Sequence, residues 1–388
     1  MKTAQRIAAL PPYLFAEIDR KVSAAKAAGV DVISFGVGDP DLPTPEYIVE
    51  ELATAAHDPS THQYPSYFGL PAFRQAIADF YARRFGVTLD PATQVLPLLG
   101  SKEGIAHLPW AFVDPGDAVL VTEPGYPVYE VGTILAGGVP VYLPLTAEQG
   151  WYPDFETVDR AAADAAKILW LGYPSNPTAA VATLEQFERA VAFAARTDTL
   201  LAHDNAYSEI TFDGFVAPSI LEVPGAMDVA VEFGSLSKTF NMTGWRIGWV
   251  VGNATAIEAL GRVKTNIDSG VFNAIQRAGV TALNGGMPHL PELVARYQRR
   301  RDRIMEVFWE AGWKVDAPKG ALYVWLPTPR GESSVDFTAR LLDQAGVVVA
   351  PGSGYGPSGE GYVRLSLTIP DERLEEGVER IRKALVGR

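Results

Sequence analysis

The chain has 388 residues, 47% of them hydrophobic and 20% charged, with a formal net charge of −13. That length suits two or three domains and that balance suits an ordinary globular protein, while the acidic charge argues against general affinity for nucleic acid or anionic membrane. There is no cysteine, which excludes disulfides, thiolate catalysis and zinc–thiolate sites, and the five histidines show no ligand-like spacing, so no metal is expected.

The first ten residues carry only a short apolar patch, and no window reaches the length of a membrane span, so the cytoplasm is the expected compartment. Residues 14–28 predict a helix ended by Gly29, and Val30 to Phe35 alternates like a strand. The strand runs into Gly36-Val37-Gly38-Asp39-Pro40, where Gly38 lets its backbone N–H approach a carboxylate closely. Helices are predicted over 45–56 and 72–85, joined by a loop that carries Tyr64 and Tyr67. Val95 to Leu99 is a short apolar strand followed by Gly100-Ser101-Lys102 and a helix to Phe112. A strand, a glycine, a hydroxyl and a helix start form an anion site, because the first helical N–H groups lack internal partners and the dipole favours negative charge. Ser101 and Lys102 are assigned to a phosphate, mainly through their backbone N–H groups.

Ala118 to Thr122 is the next strand, and Tyr126 follows its carboxyl end, where open α/β sheets bind ligands. Strands are predicted at Val139 to Leu145 and Lys167 to Gly172, with a helix around 155–163 between them. The second of these strands ends in Tyr173-Pro174-Ser175-Asn176-Pro177-Thr178. Thr183-Leu184-Glu185-Gln186 is a capping box that opens a helix to Arg196. The strand Thr199 to Ala202 carries His203-Asp204-Asn205-Ala206-Tyr207 at its end. Asp204 there either caps a helix or needs a cationic partner, because an unpaired buried carboxylate is costly.

Asp228 to Phe233 leads as a strand into Gly234-Ser235-Leu236-Ser237-Lys238-Thr239-Phe240, and Arg246 opens a further predicted strand to Gly252. Phe233, Leu236 and Phe240 flank Lys238, and partial desolvation lowers a lysine's pKa and frees its amine as a nucleophile toward carbonyls. Ser235 and Ser237 alternate, so in an extended segment they share one side, and Arg246 can join them around an anion. A lysine for an aldehyde and Ser-Ser-Arg for a phosphate together describe pyridoxal 5′-phosphate. Its protonated pyridine nitrogen would supply the cation that Asp204 needs, and that ion pair would make the ring an electron sink. Strands and helices alternate from about 95 to 265, which predicts a mostly parallel, helix-covered sheet. A long charged helix over 290–311 leads to three strand-like runs at 320–326, 346–352 and 361–367. In the last of them Arg364 alternates with apolar residues and can grip a carboxylate by two parallel hydrogen bonds, or serve a structural ion pair.

The S-x-S-K and G-W-R-I-G runs, with Gly38, Tyr64, Ser101, Tyr126, Asn176, Asp204, Tyr207, Lys238, Arg246 and Arg364 in that order, resemble the class I/II aminotransferases, the fold-type I pyridoxal phosphate enzymes. The resemblance covers nearly the whole chain. Within the family, Gly100 to Leu108 and Asn266 to Gly270 are similar to the LL-diaminopimelate aminotransferase branch. The resemblance implies an α/β fold with a large cofactor-binding domain at 45–285, a mostly parallel mixed sheet sandwiched by helices. It implies an N-terminal arm at 1–44 and a smaller α+β domain at 286–388, drawn from both chain ends. It also implies a homodimer with shared active sites, in which Tyr64 reaches the cofactor phosphate of the neighbouring subunit. Tyr126 would stack on the pyridine ring, Asn176 and Tyr207 would meet the ring oxygen, Arg364 would hold the substrate α-carboxylate, and the Gly38 loop would lie over the substrate. Ala179 stands where the family's Asn-Pro-Thr motif usually has glycine.

The implied reaction moves an amino group from an L-amino acid to a 2-oxo acid by a ping-pong mechanism, with Lys238 bonding the cofactor and moving the α-proton. Candidate substrates are LL-diaminopimelate, aspartate or glutamate with 2-oxoglutarate. A lyase or decarboxylase on the same fold would share every cofactor residue. A non-catalytic regulator would need a DNA-binding domain and a basic patch, which this acidic sequence does not present.

Overall fold

The computed structural model describes residues 1–11, 14–329 and 331–386. Its strands in chain order are β1 (Ile33–Ser34), β2 (Val95–Leu98), β3 (Ala118–Glu123), β4 (Val139–Pro144), β5 (Ala166–Gly172), β6 (Leu200–Asp204), β7 (Ala230–Ser235), β8 (Gly248–Gly252), β9 (Tyr323–Pro327), β10 (Val347–Val348), β11 (Ala350–Pro351) and β12 (Tyr362–Ser366). Seven of them form one sheet in the order β2-β8-β7-β6-β5-β3-β4, where β8 runs antiparallel to both neighbours and the other pairings are parallel. The carboxyl ends of β2, β3, β5, β6 and β7 therefore lie along one edge.

The apolar runs form strands because both faces of the sheet are covered. In β5, Ile168, Leu169, Trp170 and Leu171 are all fully buried, as expected of a parallel strand between helical layers. One face carries Leu96, Val121, Trp170, Ala202 and Phe233 against helices Ser101–Phe112, Val128–Ala136 and Ala254–Thr265. The opposite face carries Leu120, Leu171, Leu201 and Trp249 against helices Pro71–Phe85 and Leu184–Thr197. The second of these helices opens as predicted: Thr183 Oγ1 accepts from the Gln186 N–H, and Gln186 Oε1 accepts from the Thr183 N–H.

A separate core joins Ile33 and Phe35 to Leu293, Tyr297, Ile304, Val324, Leu365 and Val378. Here β1 pairs in parallel with β10, and β12 lies between β11 and β9 in an antiparallel sheet. Tyr207, Ile210 and Phe212 from beyond β6 pack into this core and tie it to the central sheet.

Four expectations change in detail. The strand from Val30 to Phe35 shrinks to Ile33–Ser34, because its partner β10 is only two residues long. The helix around 155–163 divides into a 3-10 turn, Phe155–Thr157, and a helix, Arg160–Ala165. Asp154 and Asp159 each accept a backbone N–H two or three residues on, so each starts its own turn. Asp228 and Val229 belong to the short helix Ala226–Val229, and β7 starts at Ala230. Arg246 does not lie in a strand: it has φ +54° after the 3-10 turn Thr243–Trp245, and β8 begins two residues later. Among the described residues no helix is long and apolar enough to cross a membrane, and no cluster of three or more His, Asp or Glu is arranged to hold a metal ion.

Candidate active site

A cavity of about 480 Å³ opens at the carboxyl edge of the central sheet. Gly38, Ser101, Lys102, Tyr126, Asn176, Asp204, Tyr207, Ser235, Ser237, Lys238 and Arg246 line it, so eleven of the thirteen sequence-selected residues meet in one place. The topology explains most of the meeting: Gly38 arrives on the loop after β1 of the two-stranded sheet, Arg246 precedes the antiparallel strand β8, and the others lie at or after the ends of central strands that reach this edge.

The anion end is built on glycines. Gly100 has φ +80° and leads into helix Ser101–Phe112, whose first N–H groups receive no side-chain cap. A Cβ at Gly100 would run into the guanidinium of Arg246. One at Gly248 would come within 2.8 Å of the Ser101 nitrogen, so both glycines let the arginine and the helix start converge. Arg246 is exposed toward the cavity, and its Nη1 donates to the Thr243 carbonyl at 2.7 Å. Ser235 and Ser237 share this end for a different reason than strand alternation. Ser235 ends β7 and caps the short helix Leu236–Thr239, where its Oγ accepts from the Ser237 N–H at 3.1 Å.

Lys238 sits one turn into that short helix, half-buried, with Nζ donating to the Gly38 carbonyl at 3.1 Å. Phe233, Leu236 and Phe240 are buried as expected, but the ammonium itself reaches a carbonyl and the cavity. Gly38 is required for this approach, because a side chain there would collide with the ring of Tyr323.

Asp204 caps no helix: residues 206–209 form a turn. Its Oδ2 accepts from the Tyr129 hydroxyl at 3.1 Å, while Oδ1 is shielded from water and has no hydrogen-bond partner. Burial pushes the Asp204 carboxyl up to about 6, and the Tyr129 hydrogen bond only partly opposes that shift. A carboxylate in this state favours a cationic partner. Burial also raises the Tyr129 phenol well above its ordinary range, helped by the adjacent Asp204 charge, so Tyr129 remains a donor.

Arg364 is fully buried beyond the cavity wall. Its Nη1 donates to Asn176 Oδ1 at 2.8 Å and its Nη2 to the Gly36 carbonyl at 2.7 Å, and the guanidinium lies 4.1 Å from the Tyr323 ring centroid. Tyr207 shares a 2.9 Å hydroxyl–hydroxyl hydrogen bond with Tyr323. Tyr64 stands apart: it is 88% exposed and does not line this chain's own cavity.

Two site residues escaped the sequence reading. Tyr129 lies in the first turn of helix Val128–Ala136, its ring edge-on to Tyr126 at 5.7 Å, and nothing in the local sequence marks it as a partner of Asp204. Tyr323 comes from β9, far away in the chain, and only the tertiary fold brings it to Gly38, Tyr207 and Arg364.

The profile of the family "Aminotransferase class I and II" matches residues 30–381. The chain is 54% identical over 382 residues to an LL-diaminopimelate aminotransferase of Desulforudis audaxviator, covering 98% of this chain and 97% of the relative. It is 52% identical to that of Moorella thermoacetica, with 99% of each covered. Among solved structures, apo-BacF from Bacillus subtilis superposes with a TM-score of 0.95 at 40% identity, covering 99% of this chain and 98% of that one. A Thermus thermophilus aspartate aminotransferase mutant superposes with a TM-score of 0.92 at 30% identity, covering 99% and 100%. An anion cradle, a reachable lysine and a cation-seeking aspartate at the edge of this sheet thus occur in a chain that belongs to the class I and II aminotransferase family.

Proposed function

We propose that this aminotransferase uses pyridoxal 5′-phosphate in the cavity and LL-diaminopimelate as amino donor, with 2-oxoglutarate as acceptor. The observation that carries the cofactor assignment is the unpartnered, shielded Oδ1 of Asp204 across the cavity from Lys238 and the uncapped helix start. The donor set fits the group part by part. Ser101 and Lys102 N–H groups, the Ser235 and Ser237 hydroxyls and Arg246 suit a phosphate, and Lys238 suits an aldehyde. Asp204 suits a protonated ring nitrogen, Tyr126 a stacked ring, and Asn176 and Tyr207 a ring oxygen. The substrate assignment is supported by the relatives named LL-diaminopimelate aminotransferase, about half identical over almost their full length.

The cofactor, when bound, supplies the electron sink that lets the α-proton leave. The α-carboxylate is assigned to Arg364, whose guanidinium is fixed just beyond the cavity wall by Asn176, the Gly36 carbonyl and the Tyr323 ring. Lys238 acts as the base that takes the α-proton and as the acid that returns it, its reach set by the short helix Leu236–Thr239. Asp204 would keep its charge by pairing with the ring nitrogen, and Tyr129 fixes the orientation of that carboxylate.

We further propose a three-part division, an arm at 1–44, a cofactor domain at 45–285 and a smaller domain at 286–388, working as a cytoplasmic homodimer. Support for the dimer comes from Tyr64, Tyr67, Phe68, Ile267 and Phe272, exposed on loops that pack together where Pro65 and Ser66 meet Gly270. The test is a donor panel with cofactor-loaded protein and 2-oxoglutarate as acceptor. LL-diaminopimelate is expected to give the highest kcat/KM, and a higher value for aspartate or an aromatic amino acid would overturn the substrate assignment.

A further inference from the structure

His203 and Asp204 are adjacent in β6, so their side chains leave the sheet on opposite faces. Asp204 faces the cavity. His203 faces the opposite core, its ring 4.7 Å from that of Phe187 in helix Leu184–Thr197, and stands in register with Glu232 of β7, both completely buried. Nδ1 of His203 lies 2.9 Å from Glu232 Oε2, and Nε2 lies 3.1 Å from the Tyr173 carbonyl. A carboxylate and a carbonyl both accept, so both contacts are hydrogen bonds only when each ring nitrogen carries a proton.

Glu232 is the hub of the cluster. Its Oε2 also accepts from Ser219 Oγ at 2.9 Å and from the Ile220 N–H at 3.0 Å, and its Oε1 accepts from the Tyr81 hydroxyl at 2.7 Å and Asn205 Nδ2 at 3.1 Å. Despite burial, these donors hold the carboxyl below its ordinary range. Well-packed apolar residues often stabilise a core as well as a buried ion pair does, so stability alone explains this pair poorly. Its contacts give a more specific reason. Tyr173 opens the turn that carries Asn176, Asn205 follows Asp204, and Glu232 lies three residues before Ser235 on the strand that leads to Lys238. The pair thus bridges the ends of β5, β6 and β7 at the points where the cavity residues emerge.

We propose that the buried His203–Glu232 ion pair is a positioning pair for the cofactor site, fixing Asp204 and the Asn176 turn from the opposite face of the sheet. This rests on the reading of Asp204 as partner of the cofactor ring nitrogen. Around bound metals, altering the residues that orient the ligands costs about 10- to 100-fold in affinity or activity, and a loss of that order is expected here.

The first test uses the unaltered chain. Labelled with 15N-histidine, it is expected to give two ring N–H signals from one doubly protonated imidazole at neutral pH, absent in His203→Gln and shifted when pyridoxal 5′-phosphate is added to the apoprotein. A singly protonated ring, or signals that the cofactor does not move, would overturn the proposal. The second test is Glu232→Gln, which is expected to raise the Kd for pyridoxal 5′-phosphate about tenfold and lower kcat about tenfold, with KM for the donor changed less than about twofold. Thr183→Ala, which loses a remote helix cap, shows how far the Kd moves when stability alone falls. A folded Glu232→Gln protein with the parent Kd and kcat would reduce the pair to a structural feature. Asp204→Asn run in parallel separates the two failures: if it keeps the parent Kd and kcat, the reading of Asp204 itself is wrong.

Discussion

Asp204 carries a charge that the protein alone does not compensate, and this has a consequence for the apoprotein. Its folded pKa of about 6 lies above the ordinary 3.8, so the folded state binds the proton more tightly than the unfolded state. The stability it favours is fully present below about pH 4 and is lost as pH rises through 6, a penalty of up to about 3 kcal/mol. Asp204→Asn should therefore make the apoprotein more resistant to urea than the parent at pH 8 and not at pH 4, while lowering kcat by about a thousandfold or more. Equal urea midpoints at pH 8 would contradict this account of the charge. Ala179 presents the opposite balance. It holds φ +55°, which costs an alanine about 1 kcal/mol, yet its methyl is buried in the second core, which returns about 0.8 kcal/mol. Ala179→Gly is expected to change stability by less than about 1 kcal/mol and to leave kcat near the parent value; a loss beyond about 2 kcal/mol would mean the turn depends on the methyl. The sequence could flag both residues, because each breaks a local expectation. Tyr129 and the His203–Glu232 pair break none, and their roles appear only when helix and strands are in register.

At the scale of elements, the strand-to-helix junction at Gly100 does most to shape the anion end. Its positive φ strains any other residue, and a side chain there would displace the Arg246 guanidinium. Gly100→Ala should raise the Kd for the cofactor at least tenfold and cost roughly 1–3 kcal/mol of stability, readable by equilibrium dialysis and urea denaturation. An unchanged Kd would remove this junction from the phosphate site. The strands were legible because continuous apolar runs such as Ile168 to Leu171 are buried on both faces, and helix starts were legible where a cap is present, as at Thr183. The segments that went astray, near Val30 and Arg246, depend on partners elsewhere: a two-residue partner strand limits the first, and a turn aimed at Gly100 sets the second.

For the molecule as a whole, the same chain order that allowed the family to be read also distributes the site. Most of the cavity comes from the central sheet, Tyr323 comes from the second core, Arg364 of β12 lies buried beyond the cavity wall, and Tyr64 is exposed and does not line its own cavity. If Tyr64 serves the neighbouring subunit, mixing unfolded and refolded Lys238→Ala and Tyr64→Ala chains should restore activity, because one of the two sites in each hybrid is then intact. No recovery would place Tyr64 outside the partner's site. The central claim, that Lys238 is the residue that bonds the cofactor, has a direct test. The protein is loaded with pyridoxal 5′-phosphate, reduced with borohydride, and its peptides are mapped by mass spectrometry. The account predicts the reduced cofactor on the peptide containing Lys238 and on no other; a label on Lys102, or none at all, would contradict it.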